Sequence, residues 1–324
     1  MIEDVTLITA CMDRERNLAA VLPSWIASNP TRIIIVDWGS QKPLSHSSLQ
    51  LAEGGEKIEI HRIEQRRWVA SWAFNEALLR CSSTYVCKLD CEYIISPTIF
   101  QDHHCGTSEF LRGHWRYAPV GQQFINGAVL ASLELLLTVG GYDERIVTYG
   151  AADGNLYHRL AEIGSGSALF HSGTITHIEQ DAATRTENQH IGLEQQLAET
   201  LNTPVTTFLI RRNRLFVQYL PLWNQNALMQ RLPRPCSLAM RPARERIALA
   251  LATLECFDHF CRLKKLSADM QGSMAILSTI LASPPVTTLY QGEVEESEPV
   301  GEYERLRNDL IATIQLQKTL IEHF

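Results

Sequence analysis

The sequence predicts an α/β protein in which a mixed sheet is flanked by helices and is followed by a helical region. Short apolar runs alternate with segments of helical periodicity over roughly the first 190 residues. Turn residues such as Asn29-Pro30 and Gly140-Gly141 separate these segments. Later in the chain, amphipathic patterns replace the strand-like runs. We therefore expect one domain over 1–204 and a mainly helical region over 205–324, with an acidic linker near 291–302.

Each predicted strand is a short apolar run bounded by polar or turn residues, as is typical of buried parallel strands. The first two runs are 5–8 and 32–37, and between them Leu18, Val21 and Leu22 repeat with helical spacing. Asn29-Pro30 is expected to end this first helix, because the residue before a proline disfavours the helical conformation. The same reasoning predicts strands at 57–60, 84–89, 109–112, 167–170 and 174–178, and helices at 69–81, 133–139 and 153–163.

The C-terminal part of the chain is predicted to be helical. Apolar residues occur at helical spacing within 247–254, 266–281 and 306–321. The last segment follows the acidic linker, so it is expected either to pack within the chain or to form a contact in a homo-oligomer.

Composition and charge limit the classes of function. The 29 basic and 36 acidic side chains leave a formal charge of −7, so we expect no nucleic-acid partner. Glu134 interrupts the most apolar stretch, and no transmembrane span is expected. The first residues lack the pattern of a signal peptide, and the eight cysteines include no C-x-x-C pair. We therefore expect a cytoplasmic protein with reduced thiols, either free or peripheral at the inner membrane face.

Two carboxylates follow the predicted strand 84–89, at the edge where parallel sheets bind ligands. Asp90 and Glu92 lie two residues apart there. Such a pair suits Mg²⁺ or Mn²⁺, which take oxygen ligands and commonly join one or two carboxylates to substrate phosphates. An Asp-x-Glu pair is also common on exposed turns. Lys88, just before the pair, is expected to point outward from its strand.

Two further residues are candidates for the same site, each with a structural alternative. The Gly-rich turn 149–154 brings Asp153 to the start of a helix, where it is either a functional carboxylate or a helix N-cap. His177, in the predicted strand 174–178, is either a third metal ligand or a polar residue at a sheet edge. His103, His104 and Cys105 are expected on a solvated loop rather than in a metal site.

Several segments, taken in chain order, match one known family. The first group of segments is 9–14, 33–40, 72–75 and 88–92, and the second group is 124–128, 139–144 and 149–160. The first group resembles the nucleotide-sugar half of family 2 glycosyltransferases with the GT-A fold, and the second group resembles the acceptor half. The resemblance covers about residues 4–190, and the helical C-terminal region has no counterpart in it.

The resemblance implies a role for each matching residue. Asp90 and Glu92 correspond to a variant DxD motif that holds metal and diphosphate, with His177 as a further ligand and Mn²⁺ or Mg²⁺ as cofactor. Asp153 matches the general base of inverting members, and Asp37 is assigned to the uridine. The other implied donor contacts are Thr9, Asp13, Arg14, Ser40, Arg67 and Asn75, and the acceptor-side residues are Asn126, Gly127, Tyr149 and Gly150.

The implied activity is transfer of a hexosyl group from a UDP-sugar to a glycan, lipid-linked or protein hydroxyl by single displacement, with inversion. Asp153 would take the acceptor proton, and the metal would neutralise the diphosphate leaving group. The alternative is a catalytically inactive GT-A scaffold that binds a nucleotide sugar or a partner protein, indicated by Ala152 and Asn155 in place of the family's acids. A nucleotidyltransferase ranks last, because no G-x-x-x-x-G-K loop is present.

Overall fold

The computed structural model describes residues 2–49, 55–114, 124–178, 192–230 and 241–264. Their backbone positions group into two compact units. The first contains the described residues up to 178 together with 223–230, and the second contains 192–222 and 241–264. The predicted helices at 266–281 and 306–321 and the acidic linker at 291–302 lie outside the described residues.

Seven described strands of the first unit form one mixed sheet, in the order β3-β2-β1-β4-β7-β6-β8. β1 (Val5–Cys11), β2 (Arg32–Trp38), β3 (Ile58–Ile63) and β4 (Tyr85–Lys88) run parallel. The other three are β6 (Glu109–Arg112), β7 (Val129–Ser132) and β8 (Gly166–Leu169). β7 runs antiparallel to β4 and β6, and β8 pairs in parallel with β6. The predicted α/β class, with a mixed sheet flanked by helices, is confirmed.

Two short strands, β5 (Tyr93–Ile95) and β7, were not predicted, and both lie next to predicted site residues. β5 pairs antiparallel with β9 (Ile175–His177) in a separate two-stranded sheet. β7 runs directly into the helix α3 (Leu133–Thr138). Residues 128–139 are mostly apolar on both sides of Ser132, and periodicity alone does not distinguish a short buried strand from a buried helix.

Helices cover both faces of the main sheet. α1 (Glu15–Ala27) packs on one face, where Leu7 of β1 joins Leu18 and Trp25 in one apolar cluster. Successive strand residues point to opposite faces, so Ile8 joins a second cluster with α2 (Ala70–Leu78), α3 and α4 (Ala152–Ile163). Burial of each such aliphatic side chain stabilises the fold by roughly 1.5–3 kcal/mol. The central strands are buried on both faces, which explains their uninterrupted apolar sequences.

The loop predicted as solvated contains a buried histidine. His103 Nδ1 lies 2.7 Å from the Ile99 carbonyl, and its Nε2 accepts the backbone N–H of His171 at 2.8 Å. The ring is therefore neutral, with its proton on Nδ1. Its stacking on His171, with centroids 4.1 Å apart, makes His103 a packing residue of the first unit.

The described part of the second unit is helical. It contains α5 (Gly192–Thr200), α6 (Val205–Gln218) and α8 (Ala243–Lys264), whereas α7 (Gln225–Gln230) belongs to the first unit. None of the described helices has the length and apolar character needed to cross a membrane. The apolar core of α5, α6 and α8 includes Leu197, Leu201, Phe208, Cys256, Phe257 and Phe260.

Candidate functional site

A buried lysine connects two of the predicted carboxylates at the carboxyl end of β4. Lys88 Nζ donates to Asp90 Oδ1 at 2.7 Å, to the Gly127 carbonyl at 2.9 Å and to Asp153 Oδ1 at 3.3 Å. Its side chain is 4% exposed and its ammonium lies 4.1 Å from the centre of the Phe74 ring. The prediction that Lys88 points outward is wrong, because β4 is covered on both faces. The structure thus brings Asp90 and Asp153 to a single cation.

The charges of this group stabilise one another. Burial by itself would lower the pKa of Lys88, but the negative charges of Asp153 and Asp90 outweigh burial and raise that pKa above its usual value. Lys88 is therefore protonated at neutral pH. Burial also raises the pKa of Asp153, and the charge of Asp90 adds to this, while Lys88 and Tyr142 act in the opposite direction. A carboxylate with a raised pKa accepts a proton more readily than an ordinary aspartate.

The backbone before α4 brings Asp153 to Lys88. Gly150 and Ala151 both have positive φ angles, of 87° and 69°. This conformation is unfavourable for alanine, and such strain is typical of functional sites. Ala151 occupies the N-cap position and Asp153 lies in the first helical turn, where its side chain bonds to Lys88 rather than to the helix. The N-cap alternative is therefore wrong.

The two oxygens of Asp153 have different surroundings. Oδ1 accepts hydrogen bonds from Lys88 and, at 3.2 Å, from the Tyr142 hydroxyl. No described residue donates a hydrogen bond to Oδ2, and 30% of the side chain is exposed. Oδ1 is thus held by Lys88 and Tyr142, whereas Oδ2 accepts no hydrogen bond from a described residue.

Asp90 is packed against Gly127. A Cβ atom at Gly127 would lie 2.2 Å from Asp90 Oδ2 and 2.9 Å from the Tyr93 hydroxyl. The Gly127 N–H donates to this hydroxyl at 3.2 Å, and Tyr93 in turn donates to the Phe124 carbonyl at 2.5 Å. Only glycine therefore fits at 127 with Asp90 in this position.

Three buried tyrosines that were not predicted as site residues surround the Lys88 group. Burial raises the pKa of Tyr93, Tyr142 and Tyr157 well above the usual value, so their hydroxyls remain neutral donors. The Tyr157 hydroxyl lies 2.7 and 3.0 Å from the carbonyls of Asn126 and Ala128, which share its single donor hydrogen. These residues come from separate segments, and no spacing in the sequence indicates that they meet.

The predicted metal ligands lie on adjoining segments. His177 of β9 pairs with Tyr93 of β5, and its ring packs against Tyr93 and Phe124, with centroids 5.9 and 5.4 Å away. Glu92 accepts a hydrogen bond from the Cys91 thiol at 3.1 Å. Within the described parts of the chain, no three His, Cys, Asp or Glu side chains converge to hold a metal ion.

The donor set nevertheless suits a hard cation with substrate ligands. Asp90 is 32% exposed and provides carboxylate oxygens. Mg²⁺ is commonly bound by one or two carboxylates, with waters and substrate phosphates at the remaining positions. A closed cage of protein ligands is not required for such a cation. The ligand roles of Glu92 and His177 remain predictions.

Asp37, the residue predicted to contact the uridine, is fully buried at the end of β2. Its carboxylate accepts the N–H groups of Ser40 and Leu44 at 3.1 and 3.0 Å, and Arg62 Nη1 at 2.7 Å. Burial would raise the pKa of Asp37, but these hydrogen bonds together outweigh burial and lower it. Arg62, which the sequence analysis missed, thus stabilises the ionised form of Asp37.

Asp13 and Ser40 connect the loops that follow β1 and β2. The Asp13 N–H donates to Ser40 Oγ at 3.0 Å, and Asp13 Oδ1 accepts the Gln41 N–H at 2.7 Å. Ser40 is buried, whereas Asp13 is exposed and the neighbouring Arg14 is half-buried. The carboxyl ends of the two strands therefore form one hydrogen-bonded rim.

Two of the implied donor contacts, Thr9 and Asn75, are fully buried in the structure. Asn75 is fully buried and exchanges hydrogen bonds of 2.8 and 2.9 Å with the backbone of Tyr142, so it holds the loop that carries this tyrosine. Thr9 is fully buried within β1. Their roles as donor contacts remain predictions.

The other predicted residues lie nearer to the surface. Arg67 is half-buried and donates to the Val147 carbonyl at 3.3 Å. On the acceptor side, Asn126 is exposed, and Tyr149 and Gly150 are half-buried in the turn before α4. Their ligand contacts remain predictions.

The fold is similar to solved structures that include glycosyltransferases. A mannosyltransferase from Pyrobaculum calidifontis, in complex with GDP-Man and Mn²⁺, has a TM-score of 0.45 at 13% identity, over 96% of this chain and 86% of its own. TarS from S. aureus, in complex with UDP-GlcNAc, has a TM-score of 0.48 at 13% identity, over 86% and 81%. A Drosophila β1,4-galactosyltransferase 7 mutant, in complex with manganese, UDP-Gal and xylobiose, has a TM-score of 0.43 at 13% identity, over 60% and 79%.

No protein-family model matches the sequence, and the comparison with curated proteins finds no match.

Proposed function

We propose that this protein is an inverting glycosyltransferase that moves a hexosyl group from a UDP-sugar to a hydroxyl acceptor. The observation that supports this proposal is the arrangement of Asp90 and Asp153 at Lys88, in which Asp153 Oδ2 accepts no hydrogen bond from a described residue. Such an arrangement suits a reaction in which an anionic leaving group and a hydroxyl nucleophile meet in one cleft. The first compact unit carries this site.

Asp153 is the proposed general base. An acceptor hydroxyl about 2.6–3.2 Å from its free oxygen would lose a proton to it while attacking the anomeric carbon. Lys88 and Tyr142 hold the other oxygen, so the carboxylate is oriented before the acceptor arrives. One displacement on the face opposite the diphosphate inverts the anomeric centre. General base catalysis typically contributes about 10²–10⁴ in rate.

Asp90 is the residue proposed to bind Mn²⁺ or Mg²⁺, and Glu92 and His177 are further candidate ligands. When bound, the cation would neutralise the charge of the diphosphate as a Lewis acid. Asp13, Arg14 and Ser40, on the rim formed by the ends of β1 and β2, are proposed donor contacts. Glycan, lipid-linked and protein hydroxyls are the candidate acceptors.

The test is a panel of UDP-sugars incubated with the purified protein and Mn²⁺, with UDP release and product anomer as readouts. Asp153→Asn should reduce turnover about 10²–10⁴-fold and leave UDP affinity within about threefold. Asp102→Asn is the matched control, because this exposed carboxylate bonds only locally, to Thr98 at 2.6 Å.

Comparable turnover in Asp153→Asn would remove Asp153 from the base role. UDP binding with neither hydrolysis nor transfer in the unmodified protein would favour the inactive scaffold, and release of pyrophosphate would indicate a nucleotidyltransferase. Activity that is indifferent to EDTA would contradict the metal site at Asp90.

A further inference from the structure

Lys88 is a buried cation to which the proposed mechanism gives no step of its own. Its three hydrogen-bond acceptors come from three segments: Asp90 after β4, Gly127 in a short helical turn and Asp153 in the first turn of α4. An ammonium has three hydrogens, so none remains for a ligand. Since the side chain is also 4% exposed, Lys88 could reach a diphosphate only by leaving these partners.

We infer that Lys88 is a positioning residue that sets both the place of Asp153 relative to Asp90 and the strength with which Asp90 attracts a divalent cation. This inference rests on the proposed function. Lys88 holds two carboxylates that would otherwise repel each other, and it occupies Asp90 Oδ1 at 2.7 Å. A positive charge so close to the Asp90 carboxylate opposes the binding of a second cation there.

Removing the ammonium should therefore have two opposite effects. The affinity of the site for a divalent cation should increase, on the order of tenfold, because Asp90 loses a competing positive charge. Turnover should fall, because Asp153 is no longer held, and a displacement of about 1 Å at a reacting group can cost roughly 10²-fold in rate. A residue that only supports the fold would weaken binding and turnover together.

The experiment compares Lys88→Met and Lys88→Arg with a matched control, Lys57→Met. Lys57 makes one exposed hydrogen bond, to Asn29 at 2.6 Å, and lies outside the site. Free Mn²⁺ is measured by electron paramagnetic resonance on the full-length protein, with and without UDP. Turnover of the UDP-sugar gives kcat and KM separately, and thermal melting confirms that each variant is folded at the assay temperature.

For Lys88→Met we expect Mn²⁺ affinity on the order of tenfold higher, kcat roughly 10²-fold lower, and a donor KM within about threefold of the unmodified protein. Lys88→Arg keeps the charge but not the three-way geometry. Its Mn²⁺ affinity should therefore stay near the unmodified value while its kcat falls. If Lys88→Met does not fold, the combination of unchanged Mn²⁺ affinity and lower kcat in Lys88→Arg tests the positioning role of Lys88.

Unchanged or weaker Mn²⁺ binding in Lys88→Met overturns the inference, as does an unchanged kcat. Absence of Mn²⁺ binding from both Lys88→Met and the unmodified protein also overturns it. If no UDP-sugar is turned over by the unmodified protein, the proposed function fails, and the Mn²⁺ titration alone decides the role of Lys88.

Discussion

Replacing Gly127 with alanine should displace Asp90 without changing any charge. The added Cβ would lie 2.2 Å from Asp90 Oδ2, whereas ordinary contacts begin at 3.4 Å. The carboxylate must therefore retreat by about 1 Å, and such a displacement costs roughly 10²-fold in rate when it affects a reacting group. The backbone at 127 is not among the positive-φ positions, so the effect comes from the Cβ contact alone.

The displacement also moves the Asp90 carboxylate away from the position in which it would hold the cation and, through the cation, the diphosphate of UDP. We expect Gly127→Ala to bind UDP with Mn²⁺ about tenfold more weakly, corresponding to about 1.4 kcal/mol. Isothermal titration calorimetry measures this affinity, and UDP release measures the rate.

Gly154→Ala is the matched control for Gly127→Ala. No atom lies within 4 Å of the Cβ position at Gly154, although this residue directly follows Asp153 in α4. The control should keep its activity and gain about 0.5–1 kcal/mol of stability, because glycine is unfavourable within a helix. If Gly127→Ala retained full UDP affinity and rate, the assigned position of Asp90 in the donor site would be refuted.

Three further predictions follow from buried polar groups. Asn75→Ala should lower the free energy of unfolding by about 2–4 kcal/mol, because it leaves buried backbone groups of Tyr142 unpaired; a donor KM that rises without loss of stability would restore Asn75 to the donor site. Asp37→Asn should lower the free energy of unfolding by about 1.5–3 kcal/mol at pH 7. Because the pKa of Asp37 is lowered in the folded state, this stabilisation is present above the usual 3.8 and is lost as the pH falls through the folded value. Urea unfolding from pH 7 to pH 3 should therefore show the two proteins converging, and a constant difference would contradict the assignment. For Asp153 the pKa is raised, so its contribution to stability is full below 3.8 and is lost as the pH rises through the folded value. The turnover rate should correspondingly rise with pH along a limb whose midpoint lies above 3.8, and a midpoint below 3.8 would exclude Asp153 as the base.

Much of the first unit could be predicted because its elements are encoded locally. The runs 5–8 and 32–37 lie within β1 and β2, since buried parallel strands need apolar side chains on both faces. The expected end of the first helix near Asn29 is confirmed, with α1 ending at Ala27. β7 was missed because it is a run of only four residues beside the apolar residues of α3, and periodicity does not distinguish so short a strand from a buried helix.

The sequence by itself determined which carboxylates stand at the ends of elements. Asp37 and Asp90 terminate or follow apolar strands, and Asp153 follows a Gly-rich turn at a helix start. These positions depend on neighbours a few residues away, and hydrophobic periodicity reports such neighbours directly.

Only the tertiary structure decided that Lys88 points inward and bonds to Asp153, 65 residues later in the chain. It likewise decided that the Asn75 side chain bonds to the backbone of Tyr142, 67 residues later in the chain. The physical reason is that such contacts depend on strand order and on the packing of α2 and α4 against the sheet. Local periodicity specifies that a residue is buried in an element, but the packing of distant elements selects the charge that it meets.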